Sequence, residues 1–168
     1  MRPRHLVTVL VITMALAAGL PQLVWAKTAS VTVEASADIA KDAVPCAAAA
    51  AAAALKAAGH QVLESGAAAD LQVNVTVEKM YSHHSIPPTV ILLGGLADLT
   101  NYDSGHATVT TVVTEGGREV AKKQAAATKR DFPLFSWAQP ARKAREKALR
   151  SAVAGSLSEY LAAHPAPK

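Results

Sequence analysis

A chain of 168 residues with a single cysteine, Cys46, gives up several chemistries at once. No internal disulfide can form, and neither a zinc site built from cysteines nor a thiol redox pair is available. Cys46 sits at the head of an alanine run, where a small buried apolar side chain is the expected role; the remaining use for it is a bridge to a second chain. The GxSxG elbow of serine hydrolases, a glycine-rich phosphate cradle and the HExxH or HxxxH spacing of helix-borne metal ligands are also missing. A non-catalytic protein without a cofactor is therefore expected. No nucleic-acid recognition motif is present either.

What is present begins with a leader. Arg2 and Arg4 supply a basic head, Leu6 to Leu20 an apolar stretch, and Val24, Trp25 and Ala26 a cleavage sequence after Pro21. A stretch of this length suits an export signal better than the roughly 20 residues of a membrane span. Cleavage after Ala26 is expected, with the mature protein starting at Lys27 in the periplasm or at the outer membrane. No cysteine directly follows the apolar stretch, which argues against a lipid-anchored product. Removing 26 of the 168 residues leaves 142, the size of one domain, expected over 27–163 with a fraying tail at 164–168.

Charge is unevenly spread. Lys27 to Gly117 holds four Lys/Arg and nine Asp/Glu, whereas Arg118 to Arg150 holds ten and three. Lys122, Lys123, Lys129, Arg130, Arg142 and Lys143 are thus candidates for an anionic ligand or a lipid headgroup. The plainer reading is a solvated edge strand and helix face.

Alternation and punctuation give the elements. Ser30 to Ala35 reads as a strand, and a helix is expected from about Pro45 to Ala58, with Pro45 in its first turn and Gly59 capping its end. His60 to Glu64 reads as a short strand and Leu71 to Glu78 as the clearest one, with Leu71, Val73, Val75 and Val77 on one side. His106 to Glu115 and Arg118 to Arg130 form a hairpin around Gly116 and Gly117. A closing helix from Gln139 or Pro140 to Ala163 has an apolar stripe and a cationic back. The order β-α-β-β-β-β-α points to an α+β two-layer sandwich, a mostly antiparallel sheet of about five strands with two helices on one face. The first strand-helix-strand unit should join parallel strands by a right-handed crossover.

One segment does not fit a plain sandwich. Residues 82–105 form a long connection centred on Val90, Ile91, Leu92, Leu93 and Leu96, which need a burial partner: the domain's own core, another protein or a membrane interface. His83 and His84 at one end and His106 at the other could meet at one end of the sheet, with Asp103 nearby, as a metal site. Consecutive strand residues point to opposite sides, however, and solvated loop-rim histidines are the alternative. Phe132, Phe135 and Trp137 either plug the core where the last strand meets the helix or enter a membrane interface.

The strand SVTVEA, the helix end and strand LKAAGHQVLE, the strand ADLQVNVTVEKMY and the hairpin TVTTVVTEGGREV, with the closing helix, follow one another in an order that resembles small bacterial envelope proteins. These are the YajG-like lipoproteins, the amino-terminal domain of TolB, and the CsgG and PelC secretion components. The resemblance implies a non-catalytic accessory or assembly role in the envelope, through protein or membrane contacts, with self-association. The alternative is a periplasmic protein binding a metal or an anionic ligand.

Overall fold

Alternating valines need a cover on one side of a sheet, and here two alanine-rich helices provide it. A computed structural model describes residues 27–65, 67–85, 102–131 and 140–165. Five strands, β1 (Thr28–Ala35), β2 (Gln61–Val62), β3 (Leu71–Ser85), β4 (Tyr102–Glu115) and β5 (Arg118–Asp131), form one sheet in the order β2-β1-β3-β4-β5. β1 runs parallel to β2 and β3, and β3, β4 and β5 form an antiparallel meander. Helices α1 (Ala40–Ala57) and α2 (Pro140–Ala163) pack on one face. This is the expected α+β layering, with parallel β1 and β2 joined through α1.

The helices lie close to the sheet because their inner positions are small. Ala43, Ala47 and Ala51 of α1 and Ala144, Ala148 and Ala152 of α2 are buried, interleaved with Leu55, Leu149, Val153 and Leu157. Against them stand Leu71, Val73, Val75, Val77, Val109 and Val113. One such close approach is at Gly105, where an added Cβ would lie 2.0 Å from the carbonyl oxygen of Ala144. No side chain fits there, so α2 rests directly on the β4 backbone.

Several boundaries differ from expectation. α1 starts at Ala40, so Pro45 lies inside it. The bond lost at Pro45 is the one to the carbonyl of Lys41; both residues are exposed, which lets water satisfy that oxygen. The helix begins without a side-chain cap: the Ile39 and Ala40 amides donate to the Ser36 carbonyl at 3.1 and 2.9 Å. It ends as expected, with Gly59 at φ 89° and the His60 amide returning to the Leu55 carbonyl at 3.0 Å. β2 keeps only Gln61 and Val62 of the expected strand, with one more bond from the Leu63 amide to the Ala29 carbonyl. His164, placed in the fraying tail, instead stacks on Tyr160 and bonds its carbonyl through ring and backbone.

The largest correction concerns 82–105. β3 runs on to Ser85 and β4 begins at Tyr102, so both ends of that supposed loop are paired strand. The register shifts between Val77 and Lys79, leaving Glu78 as a bulge. The bulge moves the inward positions from odd to even numbers, so Met80 rather than Lys79 faces the core. Val90, Ile91, Leu92, Leu93 and Leu96 lie outside the described residues, as do residues 1–26 with the expected leader and Phe132, Phe135 and Trp137.

Candidate functional site

The face of the sheet turned away from the helices carries mostly polar side chains, with Val112 and Ala126 among them. Gln72, Asn74, Thr76 and Glu78 of β3 are exposed, with Thr108, Thr110 and Thr114 beside them on β4 and Lys122, Gln124 and Thr128 on β5. Displaced by the bulge, Glu78 reaches across two strands. The Thr110 hydroxyl donates to its Oε1 at 2.6 Å and the Gln124 amide to its Oε2 at 2.7 Å. One carboxylate thereby ties β3, β4 and β5 together on the wet side. Further along, Tyr81, 52% exposed, stacks on His106 with ring centres 4.8 Å apart, and His106 Nδ1 bonds the Thr128 hydroxyl at 3.0 Å.

The three candidate metal histidines are not brought together. Tyr81, His83, Ser104 and His106 share the open face, because Tyr81 pairs with His106 and His83 with Ser104. His84 is on the other face, where its Nδ1 meets Asp103 Oδ1 at 2.9 Å. Asp103, with 8% of its side chain exposed, is a nearly buried carboxylate whose charge His84 partners. Across β4 it stands opposite Asp131, which Lys147 of α2 holds at 2.5 Å. Among the described residues no group of three His, Cys, Asp or Glu side chains is arranged to hold a metal ion. Strand alternation is the physical reason.

The same alternation divides the basic set. Lys122 and Arg130 fall on the open face, whereas Lys123 and Lys129 fall on the helix side, where Lys123 bonds Glu159 at 2.8 Å. Arg142 pairs with Glu146 one helical turn on, at 2.8 Å, and that hydrogen bond raises the guanidinium pKa above its ordinary value. Lys143 is exposed on α2. The six cations are therefore divided between the open face, the helix side of β5 and α2.

A second polar cluster, absent from the sequence-based expectations, lies at the end of β3 opposite His84. The Thr28 amide and hydroxyl both donate to Asp70 Oδ2 at 2.8 Å, and the Asp70 amide returns a bond to the Thr28 hydroxyl at 3.1 Å. These bonds hold the Asp70 carboxyl below the usual carboxylate range. Beside them Lys27 pairs with Glu115, a hydrogen bond that raises the lysine pKa. Lys27, Ala69, Asp70, Glu115 and Gly116 line an open cleft of about 530 Å³. Behind it the buried Tyr160 hydroxyl has no hydrogen-bond partner among the described residues, and burial, reinforced by Glu115, pushes the phenol pKa up. The Ala-Asp step into an alternating strand was the signal that could have marked Asp70. On the outside of the helices a smaller cleft of about 280 Å³ is lined by alanines of α1 with Arg150 and Ala154 of α2.

The described residues include no helix long and apolar enough to cross a membrane. No family model and no curated protein matches this sequence. Solved structures do match in backbone. PelC from Paraburkholderia phytofirmans, solved as a dodecamer, superposes with a TM-score of 0.53 at 19% identity, over 82% of this chain and 90% of that one. A DUF330 protein from Xanthomonas campestris gives 0.55 at 12% identity, over 86% and 87%. A minor lipoprotein from Acinetobacter baumannii gives 0.42 at 12% identity, over 82% and 89%. The chain has the fold of PelC and of the DUF330 protein, the small bacterial α+β class that its order of elements resembles.

Proposed function

We propose that this chain is an exported, non-catalytic protein of the bacterial envelope that works by assembly, associating with copies of itself and through them with other envelope components. The observation that carries this reading is the backbone likeness to PelC over more than four fifths of the chain, PelC being a twelve-subunit particle. The basic head and apolar stretch before Ala26 support the compartment, and Lys27, the expected first residue after cleavage, immediately precedes β1. The apolar residues Val90, Ile91, Leu92, Leu93 and Leu96 are the proposed contact to a membrane surface or a second protein.

Cell fractionation with the native mass of the purified particle tests this. The expected result is a processed protein in the periplasmic or outer-membrane fraction, sedimenting as a multimer. Leu92→Ser with Leu93→Ser should release it from the membrane or from its partner. Unprocessed chain in the cytosol, or a monomer at all concentrations, would overturn the reading.

A further inference from the structure

The sheet ends in two edges of different character, and together they describe a contact. β2 covers only Thr28 and Ala29 of β1, with the Leu63 amide adding one bond to Ala29. The carbonyls of Lys27 and Ala29 accept from that side. Backbone groups alternate along a strand, so Val31, Val33 and Ala35 turn theirs to the same side. Among the described residues no strand pairs with them there. At the other edge, β5 offers the outer side of a 14-residue strand that, among the described residues, pairs only with β4.

We propose that these edges are the two halves of one head-to-tail contact, in which β5 of one copy adds to the free part of β1 in the next. This rests on the self-association reading above and specifies its surface. Strand direction permits it. β1 is parallel to β3 and β3 reaches β5 through two antiparallel steps, so β5 and β1 run the same way. A second copy set beside the first, helices on the same side, therefore continues the sheet as a parallel ladder.

Charge selects this pairing over the alternatives. β5 carries five cations, Arg118, Lys122, Lys123, Lys129 and Arg130, against Glu119 and Asp131, whereas Thr28 to Ala40 holds Glu34 and Asp38 and no lysine or arginine. Pairing β5 with its own copy would set the excess of cations against itself. Pairing it with β1 brings Lys122 to Glu34, which lies on the same open face. Extending the observed registers straight across, Lys122 shares a row with Thr32 through Asn74 and Val112. It then lies diagonal to Glu34 of the next copy, about 7 Å away, within reach of a lysine. A contact between two different edges is heterologous, so it propagates into a closed ring or an open filament.

The test reverses each edge. Glu34, Asp38, Lys122 and Lys129 are exposed, so K122E with K129E, and separately E34K with D38K, should leave the circular dichroism and melting of the domain intact. In sedimentation velocity of the protein expressed with its own leader, each double variant is expected to fall from multimer to monomer. The association constant should drop roughly tenfold or more. An equimolar mixture of the two should reassemble, because each then offers the edge the other lacks. If either variant assembles like the wild type, or the mixture stays monomeric, this contact is wrong while self-association stands. If the wild type is itself monomeric, both readings fall.

Discussion

On the helix-covered face of the sheet, valines and leucines meet alanines; on the open face, threonines, a glutamate and lysines meet water. Both faces come from the same strands, often from adjacent residues. The covered face is stabilised by removal of apolar area and tolerates little change in volume. The open face is held by hydrogen bonds that water can replace. Stability should accordingly be concentrated on one side, leaving the other free to vary with function.

The sharpest way to break this contrast is Gly105→Ala, which places a methyl group 2.0 Å from the Ala144 carbonyl. A backbone atom cannot rotate away, so α2 must lift, at a cost of about 3 kcal/mol or more. Chemical denaturation would register this as a large fall in midpoint, and an unchanged midpoint would mean that α2 does not rest there. Next in size is Ser156→Ala. Ser156 and Thr111 share a buried hydroxyl contact of 2.7 Å between helix and sheet, with Ser156 also placed on the Val153 carbonyl at 2.8 Å. Its loss strands the Thr111 hydroxyl at about 1–3 kcal/mol, and adding Thr111→Val should recover much of that in the same assay. Smallest is Glu78→Ala on the open face. Its bonds to Thr110 and Gln124 are exposed, so about 1 kcal/mol or less is expected. A larger loss would show that the open face contributes to stability after all.

How far the fold could be read in advance follows the same division. Strands whose inward residues are apolar, Leu71 to Val77 and Ala107 to Val113, declare themselves by alternation. β4 runs three to four residues further toward its start, but the inward positions there are Asp103 and Gly105, one a paired carboxylate and the other a contact with a helix backbone. Neither looks like core in a sequence. In β3 the Glu78 bulge changes the parity, so Met80 falls out of step and the strand seems to end. Pro45 misled for a related reason: its missing amide would have bonded an exposed carbonyl, and the helix could start before it.

The candidate sites were harder to anticipate. Grouping His83, His84 and His106 by position overlooked that neighbours on a strand face opposite ways, and the same rule separated Lys122 from Lys123. The links that do form, Glu78 to Gln124 and Asp70 to Thr28, join residues 46 and 42 positions apart. Only the strand register brings them together.

Cys46 offers a practical consequence of the close helix packing. Its thiol is largely buried between α1 and α2, with Sγ 3.8 Å from the Glu146 carbonyl, so its reaction with a thiol reagent is slowed while the two helices stay together. Because the chain has no other cysteine, the rate at which this one is alkylated measures how often the layer parts. A built-in clock of that kind could follow the protein through export and maturation without any added label.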